Sequence, residues 1–145
     1  MRATTRGDGD MERLAADFAA TLVPQKKRAT VVGLSGDLGA GKTSFVRGVL
    51  RSYEVQEPVT SPTFVIEKIY TPPQSPFKKI VHVDAYRLKD SSELEDLGFK
   101  ELLKNEGTLI LIEWPEHVRA VVPDYARWLH FSFGQDAERF VTYDD

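Results

Sequence analysis

The sequence predicts an α/β fold, a three-layer sandwich around a mostly parallel central sheet with antiparallel additions and a C-terminal hairpin. Three observations carry that expectation. A glycine-rich turn, Gly36-Asp37-Leu38-Gly39-Ala40-Gly41-Lys42-Thr43, joins an apolar run to an amphipathic one. Two further short apolar runs each end in a carboxylate, Asp84 and Glu113. Near the C-terminus, polar and apolar residues alternate before a turn that contains Gly134. Early alternation of strand and helix builds parallel units, whereas a late hairpin adds antiparallel strands.

Each element has a local cause. Met11, Leu14, Ala15, Phe18, Ala19 and Leu22 recur on one helical face, with Asp10 as the expected N-cap and Pro24 as the stop. Residues 1–9 lack the apolar core of a signal segment and read as a flexible lead-in. Residues 30–35 are almost wholly apolar, as in a strand covered on both faces. The helix after the glycine turn buries Phe45, Val46, Val49, Leu50 and Tyr53. Gly48 inside it costs about 1 kcal/mol relative to alanine, so close packing is expected there.

A loop over 58–62 leads to a β-rich run over 63–70, and Pro72, Pro73 and Pro76 demand an exposed connection. Residues 80–83 form a short strand that ends at Asp84. Ser92 and Glu95 resemble a capping box for a helix carrying Leu94 and Leu97, and Phe99, Leu102 and Leu103 mark a second short helix. Residues 109–112 are a buried strand ending at Glu113, with Pro115 placed to start another short helix. Trp128, His130 and Ser132 alternate with Leu129, Phe131 and Phe133, and residues 140–143 return as the second arm of a hairpin.

With 145 residues and a hydrophobic share of 41%, the chain has room for one domain, 1–145, and one proper core. The absence of cysteine excludes disulfides and thiolate metal sites. Nineteen basic against 22 acidic side chains leave a net charge of −3. Basic residues gather only at Lys26-Lys27-Arg28 and Lys78-Lys79, too briefly for an unaided grip on nucleic acid. A role in RNA metabolism would run mainly through protein partners. No run approaches the ~20 apolar residues of a membrane span, and a cytoplasmic location is the expectation.

The chemistry begins at the glycine turn. Its glycines let successive backbone N–H groups point inward at phosphate oxygens, and the following helix adds its positive end. Lys42 supplies a mobile point charge, and the Thr43 hydroxyl is suited to ligate Mg²⁺. Strand, turn and helix together make this a P-loop, so the fold is a P-loop NTPase sandwich and the chain binds a nucleoside triphosphate. Asp84 and Glu113 should emerge at the sheet edge where the loop lies. One can organise Mg²⁺ and the other can orient water; spacing alone does not allocate these roles. Residues 60–64 occupy the place of a switch segment, with Thr60 or Thr63 near the metal shell or simply in a turn. His82 lies two residues before Asp84 and is expected to pack or hydrogen-bond rather than react. Arg87 could neutralise phosphate or pair with Asp90 or Glu93, and Trp114 could stack on a base or a partner or fill the core.

Five blocks in order resemble one family: 34–43, Thr60-Ser61-Pro62-Thr63-Phe64, His82-Val83-Asp84-Ala85-Tyr86-Arg87-Leu88, Glu93-Leu94-Glu95-Asp96-Leu97-Gly98 and Glu113-Trp114-Pro115-Glu116. Together they are similar to the bacterial TsaE (YjeE) ATPases of tRNA threonylcarbamoyladenosine synthesis. The resemblance implies a slow, Mg²⁺-dependent ATPase, with ATP and Mg²⁺ as its cofactors. It would act with TsaB and TsaD when a threonylcarbamoyl group is moved to the adenosine beside the anticodon, in tRNAs reading codons that begin with adenine. tRNA is then engaged indirectly, through a complex whose assembly or resetting the nucleotide cycle supports. Alone, the protein would be a monomer or weakly self-associated. Carried over by the resemblance are a phosphate site at Gly36, Gly39, Ala40, Gly41, Lys42, Thr43 and Ser44, Mg²⁺ ligation by Thr43 and Glu113, and support of hydrolysis by Asp84. Ser61, Pro62, Thr63, Tyr86, Arg87 and Trp114 fall at switch or partner-contact positions, and the first helix and late hairpin would flank the adenine.

Two alternatives use the same loop. A small-molecule kinase would need a basic lid, yet the segment 87–107 carries the acidic run Glu93-Leu94-Glu95-Asp96. A GTP-dependent switch would need a guanine-reading Asn/Thr-Lys-x-Asp motif, which the sequence lacks.

Overall fold

Apolar strands assemble into one seven-stranded sheet with a helical layer on each face. The structure, a computed structural model, describes residues 1–60 and 66–143. Strands β1 (Arg2–Arg6), β2 (Thr30–Gly36), β3 (Glu67–Tyr70), β4 (Lys79–Asp84), β5 (Thr108–Glu113), β6 (Arg127–Phe133) and β7 (Glu138–Tyr143) are ordered β1-β7-β6-β2-β5-β4-β3. The inner four, β6, β2, β5 and β4, run parallel. Antiparallel strands extend both sides: β3 on β4, β7 on β6, and β1 on β7. The expected hairpin is therefore β6–β7.

Two helical layers cover the two faces. Helices α1 (Asp8–Ala19) and α2 (Lys42–Ser52) lie on one, where Met11, Phe18, Phe45 and Val49 join Leu34, Leu111 and Phe131 in a single buried cluster. The short α3 (Ser92–Asp96), α4 (Phe99–Leu102) and the 3₁₀ segment Pro115–Val121 cover the other. Leu94, Phe99 and Val118 there meet Val31, Val83, Ile110 and Ile112. Burial on both faces explains the near-continuous apolar character of β2 and β5.

Gly48 has the reason its sequence demanded. A Cβ at that position would sit 2.6 Å from the Ala15 Cβ and 2.8 Å from the Glu12 Cα. The missing side chain lets α1 and α2 pack backbone to backbone, and Tyr53 then reaches across to donate to the Ala19 carbonyl at 2.8 Å.

Several expectations are corrected. Residues 1–9 are not a flexible lead-in: Arg2–Arg6 pair with Thr142 through Glu138 as an edge strand, and α1 starts at Asp8. Asp10 is not the N-cap. Gly7 holds that position, and Asp10 sits inside the first turn with its carboxylate accepting the Arg6 N–H at 2.9 Å. Leu97 lies outside α3 and is half-exposed, because that helix ends at Asp96. Of the β-rich run expected over 63–70, only Glu67–Tyr70 is seen as strand, since residues 61–65 lie outside the described residues. Among the described residues no helix is long and apolar enough to cross a membrane.

The tight α1–α2 contact makes a prediction. Gly48→Ala gains about 1 kcal/mol of helix propensity but forces backbone apart, at about 1–3 kcal/mol. Its urea midpoint should fall below wild type with an unchanged slope; equal or greater stability would mean that the two helices separate without cost.

Candidate functional site

The ends of the parallel strands set the site. β2, β5 and β4 all finish at one edge, in a register that sets Leu34 beside Glu113 and Glu113 beside Asp84. The chain leaves β2 into the glycine turn there. Gly36 adopts φ +145°, and a Cβ on it would lie 2.3 Å from the Phe131 carbonyl oxygen on β6. Only glycine passes so close to the neighbouring strand. α2 then begins with Gly41 as N-cap, without a side-chain cap and without an acidic residue in its first turn. Its positive end is left for an anion.

Lys42 lies almost wholly buried beneath this turn. Its ammonium donates to the Gly36 carbonyl and, at 3.4 Å, to the Asp37 carbonyl. It also sits 3.5 Å from the centre of the Trp114 ring. Burial pushes the lysine pKa down, opposed by Glu113, Glu116, Asp84 and Asp37 in that order. Desolvation disfavours the charged lysine, and the surrounding carboxylates offset part of that cost.

Next along α2, the Thr43 hydroxyl donates to Glu113 Oε1 at 2.9 Å. The other Glu113 oxygen is 2.6 Å from His82 Nε2, with both side chains buried. Asp84 is buried as well, and its Oδ1 accepts the Tyr86 N–H at 2.9 Å. Hydroxyl and carboxylate oxygens are hard donors suited to magnesium, which needs few protein ligands because phosphates and waters complete its shell. Thr43 and Glu113 fit that ion.

A cleft of about 530 Å³ opens over these groups. One end is formed by Asp84, Tyr86, Glu113 and Trp114, and the floor by Gly39, Gly41, Lys42, Thr43 and Ser44. The other end is formed by Thr5, Gly7, Asp8 and Met11, with Ala137 and Arg139 from the hairpin. Volumes of this order hold drug-sized ligands. Trp114 adopts a left-handed backbone, φ +62°, and its N–H donates to the Leu34 carbonyl at 3.1 Å. Its ring packs against Tyr86 at 5.1 Å and His117 at 5.3 Å.

The fold thus brings together Gly39, Gly41, Lys42, Thr43, Ser44, Asp84, Glu113, Tyr86 and Trp114. Ala40 is turned into the core, and Arg87 is exposed and not part of the described cleft wall. Ser61, Pro62 and Thr63 lie outside the described residues. Sequence reasoning did not assign Thr5, Gly7, Asp8, Met11, Ala137 or Arg139. Asp8 Oδ1 accepts the Ser44 hydroxyl at 3.0 Å, and Arg139 donates to the Gly39 carbonyl at 3.4 Å. These contacts follow from pairing β1 with β7, which has only a weak signal in the short run Arg2-Ala3-Thr4-Thr5-Arg6.

The chain is similar to known proteins in sequence and in fold. The family model for the threonylcarbamoyl adenosine biosynthesis protein TsaE matches residues 6–141. The tRNA threonylcarbamoyladenosine biosynthesis protein TsaE of Haemophilus influenzae is 36% identical over 128 residues, covering 88% of this chain and 78% of that one. The TsaE of Treponema pallidum is 32% identical over 142 residues, 98% of each chain. The crystal structure of YdiB from Bacillus subtilis superposes with a TM-score of 0.78 at 26% identity, covering 99% of this chain and 83% of that one.

The buried Glu113 pair makes a stability prediction. Glu113→Ala leaves the His82 ring without its Nε2 partner in the core and should cost about 1–3 kcal/mol of unfolding free energy. Thr43→Ala, at a half-buried position open to the cleft, should cost less. Denaturant unfolding of both variants checks the order, and an equal loss would mean that the imidazole finds another partner.

Proposed function

The chain belongs to the TsaE family, and on that premise we propose that it is a magnesium-dependent ATPase serving threonylcarbamoyladenosine modification of tRNA. The observation that carries the proposal is the Thr43–Glu113 contact of 2.9 Å beside a buried lysine, at the floor of a cleft of ligand size. In this proposal the amides of the glycine turn and the ammonium of Lys42 hold the β- and γ-phosphates of ATP. Thr43 and Glu113 hold the ion. Bound there, magnesium would neutralise charge on the phosphate oxygens. Asp84 orients the water that attacks the γ-phosphorus as its bond to the bridging oxygen breaks, releasing ADP and phosphate.

The base would occupy the far end of the cleft, between the start of α1 at Gly7, Asp8 and Met11 and the hairpin residues Ala137 and Arg139. Hydrolysis supports assembly or resetting of a modification complex with TsaB and TsaD homologues, and tRNA is engaged through them. The net charge of −3 is consistent with an indirect contact to RNA. Alone, the protein is a monomer or weakly self-associated, and it works in the cytoplasm.

Calorimetry and a phosphate-release assay test these roles. Lys42→Ala should weaken Mg-ATP binding roughly 10- to 100-fold, the loss of one charged hydrogen-bonding group. Asp84→Asn should keep binding while lowering turnover by about 10²–10⁴-fold. Wild-type binding in the first and wild-type turnover in the second would remove both assignments. Deleting the gene in a host without a second copy should deplete threonylcarbamoyladenosine in bulk tRNA; an unchanged level would end the proposal.

A further inference from the structure

His82 is a buried polar side chain in a place built for an aliphatic one. Along β4 the side chains alternate, so Ile80, His82 and Asp84 share the face that α1 and α2 cover. Beside them on β5 stand Leu109, Leu111 and Glu113, and on β2 Val32 and Leu34. Each column is aliphatic until it reaches the edge of the sheet, except at His82, one layer below the carboxylates. A leucine or isoleucine would fill that layer without a polar atom to satisfy.

The ring is fully buried, and its Nδ1 has no hydrogen-bond partner among the described residues. Its polar contact among those residues is Nε2 to Glu113 Oε2 at 2.6 Å. A carboxylate offers lone pairs only, so Nε2 carries the hydrogen and donates. Among the described residues, that bond is what holds the imidazole, and Nδ1 adds none.

What the bond does follows from the geometry at Glu113. The terminal torsion of a glutamate is broad and roughly two-fold, so an untethered carboxylate swings. Here Oε2 is tied to His82 and Oε1 is aimed at the Thr43 hydroxyl at 2.9 Å. The three side chains come from β4, β5 and α2 and form one line from the core to the cleft floor.

We propose that His82 is a positioning residue, whose Nε2–H bond to Glu113 holds the carboxylate so that Oε1 and the Thr43 hydroxyl together present the magnesium site. His82 touches neither nucleotide nor metal; it acts through Glu113. This rests on the ATPase proposal above, because it assigns Glu113 to the ion.

The test compares two amides that differ by one methylene. His82→Gln places an N–H near the former Nε2 and can still reach Glu113, whereas His82→Asn places it near the former Nδ1, out of reach. A non-hydrolysable ATP analogue is titrated into wild type and both variants, with magnesium and with EDTA, and the affinity gained from magnesium is read by calorimetry. His82→Asn should lose about 10- to 100-fold of that gain, the usual effect of removing a group that orients a metal ligand. Its EDTA affinity should stay within about twofold of wild type, and His82→Gln should recover most of the gain.

A wild-type magnesium gain in His82→Asn overturns the assignment. So does a parallel loss with and without magnesium, which would make His82 a packing residue, or a glutamine variant as poor as the asparagine one. Failure of the wild type to bind the analogue at all would instead sink the ATPase proposal, which keeps the two outcomes distinct.

Discussion

The parallel pairing of β2, β5 and β4 is the constraint on which the rest of the structure depends. Parallel strands point their carboxyl ends the same way, so the glycine turn after Gly36 and the carboxylates Asp84 and Glu113 arrive at one edge. A shift of one residue in the β4–β5 register would turn Asp84 or Glu113 to the opposite face, away from α2. Buried aliphatic columns on both faces hold that register. Packing far from the cleft therefore decides which polar atoms meet within it.

The site also stores opposing terms. Lys42 is buried at an electrostatic disadvantage, His82 Nδ1 has no partner among the described residues, and Trp114 adopts a left-handed backbone. Each opposes folding, and together they cluster within the same few strand ends. A chain optimised for stability alone would place none of them there. The buried aliphatic clusters on both sheet faces offset them.

The cleft has two walls of different origin. The strand ends of the parallel half and the aromatic group Tyr86, Trp114 and His117 form one. The antiparallel extension forms the other: β7 folds back on β6, β1 adds to β7, and α1 leaves β1 toward the glycine turn. The N-terminal residues are thereby part of the site rather than a preamble to it. Gly7 and Asp8 reach the cleft only because β1 is anchored 132 residues away along the chain, where Arg6 pairs with Glu138.

What the sequence determined by itself was local. Glycine spacing, an apolar run before it and an amphipathic run after it specify strand, turn and helix through backbone geometry within a few residues. The carboxylates at strand ends and the hairpin were legible for the same reason, and Gly48 inside a helix marks the close α1–α2 contact. The tertiary structure decided everything that depends on which distant segments touch. Thr43 and Glu113 are 70 residues apart, His82 and Glu113 are 31 apart, and β1 pairs with the far end of the chain. Those contacts are set by strand order and register, which arise from the summed burial of both sheet faces, and no short stretch of sequence carries that sum.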